Sequence, residues 1–73
     1  MKHTDQILAT MVELIHERLA DATETAKAAK ACASVSNLDE AIRITLTIEQ
    51  PIYEATTLLN AAALIKRLSD EDR

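Results

Sequence analysis

Apolar residues in the first half of the chain recur in alternating steps of four and three positions. The stripe consists of Leu8, Val12, Ile15, Leu19, Ala22, Ala26, Ala29 and Ala33. This spacing keeps all of them on one side of an α-helix and is typical of helical bundles and coiled coils. The pattern predicts a first helix over about residues 5–33, with Thr4 or Asp5 as its N-cap.

A second helical pattern begins after a short polar stretch. Asn37 followed by Glu40 matches a capping box, so we expect a second helix over about residues 38–69. Its stripe consists of Ala41, Ile44, Ile48, Ile52, Ala55, Leu59 and Ala62. Pro51 lacks the N–H of an interior helix residue and crowds the carbonyl of Thr47. We therefore expect this helix to be kinked or broken at Pro51.

The second helix is apolar on two sides. Ile42, Leu46, Tyr53 and Leu64 lie roughly opposite its main stripe at about 100° per residue. Because a helix that is apolar on two sides usually packs between partners, we interpret these four residues as a candidate surface for a protein partner. Residues 1–73 are expected to form a single all-α domain, an antiparallel helical hairpin that dimerises into a four-helix bundle.

One segment also supports a different interpretation. Residues 42–49 alternate apolar and polar side chains and are rich in β-branched residues, a strand signature. From Arg43 onward the chain resembles ribbon-helix-helix regulators, in which a strand pairs across a dimer and contacts the DNA major groove. The resemblance implies that Arg43, Thr45 and Thr47 face the groove and that residues 51–68 form the following helix. The capping box and the continuing helical stripe favour a helix over this strand. A DNA-binding regulator, which needs the strand, is therefore the alternative function.

Composition narrows the function further. The 73 residues are 48% hydrophobic, with no Gly, a single Cys and a single aromatic residue. A chain without Gly has no Gly-rich phosphate loop, and one Tyr is too few for a base-stacking platform. The net charge of −4 argues against nucleic acid and anionic membranes as partners. A domain this small, without an internal disulfide, is expected to oligomerise.

Candidate chemistry is sparse. Glu13 and His16 match the Glu-x-x-His pattern of di-metal helical bundles, but both point away from the apolar stripe, so we expect no metal site. We find no pattern of catalytic or cofactor-binding residues. The sequence therefore predicts a non-enzymatic interaction or regulatory protein without a cofactor, acting as a homodimer. An interrupted apolar N-terminus and a single thiol suggest the cytoplasm and no membrane segment.

Overall fold

The computed structural model describes residues 2–71, which form three α-helices arranged as a long hairpin. The helices are α1 (Lys2–Ser34), α2 (Leu38–Leu46) and α3 (Glu49–Glu71). α1 forms one arm and packs along both α2 and α3, which together form the other arm. The rod measures 57 × 14 × 12 Å. The predicted all-α class is confirmed, since residues 2–71 contain no strand.

α1 is slightly longer than the sequence predicts. The helix begins at Lys2 instead of residue 5 and ends at Ser34 instead of residue 33. Thr4 therefore lies within the helix, and the prediction that Thr4 or Asp5 caps it is wrong. Asp5 instead occupies the first turn, where a carboxylate interacts favourably with the positive end of the helix dipole.

The turn after α1 reverses the chain within three residues. The N–H of Asn37 donates to the carbonyl of Cys32 at 2.9 Å, and the N–H of Ser36 donates to the carbonyl of Ala33 at 3.0 Å. This pair of bonds defines a Schellman motif. Ser36 takes its left-handed position with φ 63°, where glycine is usual because it lacks a Cβ.

Asn37 starts α2 as the sequence predicts. Its side-chain oxygen accepts a hydrogen bond from the backbone N–H of Glu40 at 3.4 Å. Because this cap begins a helix that continues to Leu46, the alternative of a strand at 42–49 is wrong. Ala41 is buried in this helix, which anchors it against α1 and opposes an extended conformation.

The second arm is broken, but one turn earlier than predicted. α2 ends at Leu46 and α3 begins at Glu49, so the break covers residues 47–48 instead of Pro51 itself. The N–H groups of Thr47 and Ile48 bond three residues back, each at 3.0 Å. Pro51 has no N–H for the carbonyl of Thr47 and crowds it, which moves the break to that residue. Pro51 itself lies in the first turn of α3, where an N–H is not needed.

The two arms meet along a narrow seam whose fully buried side chains are small. Among residues 3–71, the buried positions are alanines that are 5–6% exposed: Ala22, Ala29, Ala41 and Ala55. The buried and half-buried residues of α1 are Thr4, Leu8, Met11, Leu14, Ile15, Arg18, Ala22, Thr25, Ala29 and Cys32. Half of the predicted stripe is therefore missing from the seam, since Val12 is 62% exposed and Leu19 is 45% exposed.

Candidate functional site

One side of the hairpin is apolar on both arms, and we call it the lateral face. Its residues are Val12, Leu19, Ala26 and Ala33 on α1, Leu38 and Thr45 on α2, and Ile52 and Leu59 on α3, all of them exposed. Apart from Leu38, each follows a seam residue by four positions, which rotates it out of the seam by roughly 40°. Equivalent positions on two antiparallel helices lie on the same side of the pair, so both rows belong to one surface.

An ion pair across the arms shows how the two rows align. The Nε of Arg18 donates to Oε1 of Glu54 at 2.7 Å. Since these two residues are in contact, Leu19 lies nearly level with Ile52, and Val12 nearly level with Leu59. The large side chains of the lateral face therefore lie side by side and form one patch on the half of the rod away from the turn.

The two apolar rows of the lateral face end in charged residues at the open end of the hairpin. No residue of the face between Val12 and Leu59 is charged. Continuing the same spacing by seven residues reaches Asp5 on α1 and Lys66 on α3. An apolar surface bordered by polar residues is the usual composition of a site where helices pack against a partner.

The opposite side of the hairpin mixes acidic and apolar residues. It carries Asp21, Glu40 and Glu54 among apolar positions that include Ile7, Leu14 and Leu68. The amide of Gln50 and then the guanidinium of Arg18 donate to the Glu54 carboxylate, and these hydrogen bonds hold the pKa of Glu54 below its usual value. The Glu54 side chain therefore stays ionised at neutral pH and links the two arms.

The four residues predicted as an interaction surface form what we call the outer face: Ile42, Leu46, Tyr53 and Leu64 are all exposed. Leu46 and Tyr53 line a shallow depression of about 540 Å³ at the helix break, together with Ile48 and Ile52. Leu64 follows Tyr53 by eleven residues, roughly 16 Å along the helix, and does not line this depression. The structure thus brings together Leu46 and Tyr53, and leaves Leu64 apart from them.

The residues of the DNA-binding alternative do not form a groove-facing row. Arg43 pairs with Glu40 one turn earlier, and this hydrogen bond lowers the pKa of the Glu40 carboxyl. The hydroxyl of Thr45 donates to the carbonyl of Ala41 at 2.8 Å, and that of Thr47 to the carbonyl of Ile44 at 2.6 Å. All three side chains bond within their own helix or its last turn, since the strand that would have presented them does not form.

Groups that could carry chemistry lie scattered. Glu13 and His16 are both exposed, and no three His, Cys, Asp or Glu side chains of residues 2–71 are grouped so as to hold a metal ion. Cys32 is a half-buried free thiol at the turn end of the seam. Within residues 2–71, no helix is both long enough and apolar enough to cross a membrane.

The lateral face is the feature that sequence reasoning missed. Val12, Leu19, Ile52 and Leu59 were all predicted within the seam, whereas the structure leaves them outside it. The sequence carries no signal that separates these rows, because two apolar rows in alternating steps of four and three are what a single helical seam normally buries.

Comparison with known proteins adds no relative to this description. No family model, no curated protein and no solved structure matches the chain. The functional argument therefore rests on the exposed surfaces of the hairpin.

Proposed function

We propose that this chain is a small non-enzymatic helical interaction protein that works as a homo-oligomer, with two hairpins packed as a four-helix bundle. One observation carries the proposal: the hairpin leaves most of its large apolar side chains in solvent. Within residues 3–71 the buried side chains are alanines, while twelve large hydrophobic residues are exposed. Burial of apolar surface is the main force that stabilises folded chains, so this distribution favours a partner that covers the exposed side.

The total surface supports the same proposal. The chain exposes 5656 Å², whereas a compact monomer of its 8.0 kDa mass would expose about 4450 Å². The shape explains the difference, since the radius of gyration is 16.8 Å and a compact chain of this length has about 11 Å. Pairing two rods side by side removes this excess and produces a thicker, more compact particle.

The distribution of polar groups favours an interaction role over catalysis. Among the described side chains, residues 3–71, none that is polar or charged is buried. Catalytic groups usually depend on partial burial to shift their pKa values and to exclude water. The outer face borders the lateral face at the helix break, where Leu46 and Tyr53 share a depression with Ile52, whereas Leu64 lies outside it and is available to a further protein partner.

Sedimentation equilibrium tests the proposal. We expect a mass of about twice 8.0 kDa at micromolar concentration, with partial dissociation on dilution because the assembly follows mass action. Far-UV circular dichroism on the same samples reports whether the chain is helical. A helical species that sediments as a single chain throughout this range would refute the proposal.

A further inference from the structure

We propose that a second copy of this chain docks on the lateral face, with the turns of both hairpins at the same end of the bundle. This inference rests on the proposed self-association and names the surface and orientation that produce it. Three observations select the surface: its uncharged composition, the charges on the other sides of the rod, and the area that the hairpin leaves exposed.

Composition singles out the lateral face because a four-helix bundle needs an apolar surface on both arms. On α1 the face offers Val12, Leu19, Ala26 and Ala33. On the other arm it offers Leu38, Ile52 and Leu59, with Thr45 as the polar exception. Each row lies directly beside the seam residues of its own arm. The apolar stripe of each helix is therefore wide enough to contact two neighbouring helices.

The other sides of the rod oppose self-association. On the opposite side Asp21 interrupts the row of α1. The ion pairs of Glu40 with Arg43 and of Glu54 with Arg18 interrupt the row of the second arm. A symmetric contact there would bury charged groups at the cost of their solvation. The outer face is apolar on α2 and α3 alone, because the outward positions of α1 include Glu13 and Lys27. Neither side can therefore serve as a symmetric apolar contact for both arms.

Charge at the open end of the hairpin selects the orientation. With the turns together and the rods fully overlapped, Asp5 of one copy lies level with Lys66 of the other copy, and opposite charges meet. With the turns at opposite ends, Asp5 would face Ala33 of the other copy, and Lys66, which donates to Asp70 in its own helix at 3.0 Å, would face Leu38. A charge placed against apolar side chains loses solvation without gaining a partner, which favours the first arrangement.

The exposed area matches what a stable dimer requires. The excess over a compact monomer is about 1200 Å² per chain by the size relation for folded proteins. Two chains together would then bury about 2400 Å², which falls in the range of permanent homodimers. A weak surface contact would leave most of this excess exposed.

A matched pair of variants tests the surface. Leu19 on the lateral face and Leu64 on the outer face are both 45% exposed, so Lys causes the same chemical change at both positions. We expect Leu19→Lys to weaken dimerisation by roughly 100-fold or more, because it buries an unpaired charge. Leu64→Lys should dimerise as the native chain does. Both are measured by sedimentation equilibrium, and Leu19→Ala serves as a milder substitution if Leu19→Lys does not remain helical.

A distance measurement tests the orientation on an intact interface. Val35 lies exposed in the turn, so a nitroxide on Val35→Cys, in a Cys32→Ala background, reports the separation of the two turns. If the turns share one end, pulsed electron resonance should give roughly 15–30 Å, set by helix diameters of 10–12 Å. Turns at opposite ends would lie about 50 Å apart, close to the 57 Å length of the rod.

The outcomes separate this inference from the proposal beneath it. Loss of the dimer in Leu19→Lys but not in Leu64→Lys, together with the short distance, supports the inference. A native dimer that loses affinity in Leu64→Lys and not in Leu19→Lys would overturn the surface while self-association stands. A long distance would overturn the orientation. A monomeric native chain would overturn both the inference and the proposed function.

Discussion

Ser36 lies in a conformation that suits few residues. Its φ of 63° is left-handed, and the cost for a residue with a Cβ is about 1–2 kcal/mol. The Schellman bonds from Ser36 and Asn37 to the end of α1 outweigh this cost and hold the turn. The turn could be anticipated from residues 34–37, but the left-handed position could not, because its usual marker is a glycine and the chain contains none.

Ser36→Gly is therefore expected to stabilise the hairpin by about 1 kcal/mol. Urea denaturation followed by circular dichroism measures the change, at one fixed protein concentration. Ser34→Gly is the matched control, because Ser34 lies in the last turn of α1 and the same change there should destabilise by up to about 1 kcal/mol. Equal effects at the two positions would contradict the role assigned to Ser36.

The contact between Arg18 and Glu54 makes the stability of the hairpin depend on pH in the acidic range. The pKa of Glu54 is lower in the folded chain than in the unfolded chain, first through Gln50 and then through Arg18. Its contribution to stability is thus complete at neutral pH. It is lost as the pH falls below the ordinary value for Glu, about 4.3, toward the lower folded value.

We expect Glu54→Gln to lose less stability than the native chain between neutral pH and pH of about 3. Thermal unfolding at a series of pH values measures the difference. Glu24→Gln is the control, because Glu24 contacts Lys27 within α1 and joins no second helix. A native pH profile in Glu54→Gln would show that this carboxylate does not link the arms.

At the scale of elements, the sequence predicted the helices well and their facing sides only in part. Leu8, Ile15, Ala22 and Ala29 were placed correctly, since all are buried or half-buried. The second row of the seam was misplaced. It consists of Met11, Arg18, Thr25 and Cys32, whereas the sequence predicts the more apolar row that begins at Val12. Hydrophobicity alone cannot anticipate a half-buried Arg18, because its place depends on Glu54 across the seam.

The break in the second arm was also predicted only in part. Pro51 predicts a break, and the break occurs, but at residues 47–48. The proline acts on the carbonyl one turn before it, and Pro51 then suits the first turn of the new helix. The sequence left open whether residues 42–49 are helix or strand, and the helix forms because Asn37 caps it and Ala41 packs against α1.

Pro51→Ala tests this cause of the break. Restoring the N–H lets residue 51 donate to the carbonyl of Thr47, so we expect α2 and α3 to join into one helix. The Cα chemical shifts of Thr47 and Ile48, measured by NMR, should move to values typical of the interior of an α-helix. Thr57→Ala in the middle of α3 should leave both shifts unchanged. Unaltered shifts in Pro51→Ala would mean that another residue sets the break.

At the scale of the whole molecule, the sequence predicted an excess of apolar surface but misplaced part of it. The four residues predicted as an interaction surface are exposed, although Leu64 lies apart from Leu46 and Tyr53. The lateral face was assigned to the seam, because two apolar rows on one helix cannot be ordered without knowing how the arms are rotated. Once Arg18 and Glu54 set the alignment, the lateral face remains uncovered on both arms.

Folding and association should therefore be linked in this protein. A hairpin that leaves twelve large hydrophobic residues among 3–71 exposed lacks the stabilisation that their burial would provide, and a second copy on the lateral face would supply part of it. The most direct test is the midpoint of thermal unfolding, followed by circular dichroism, as a function of protein concentration. We predict that the midpoint rises by roughly 5–10 °C for a 100-fold increase in concentration. A fully helical chain whose midpoint is the same at every concentration would contradict the account.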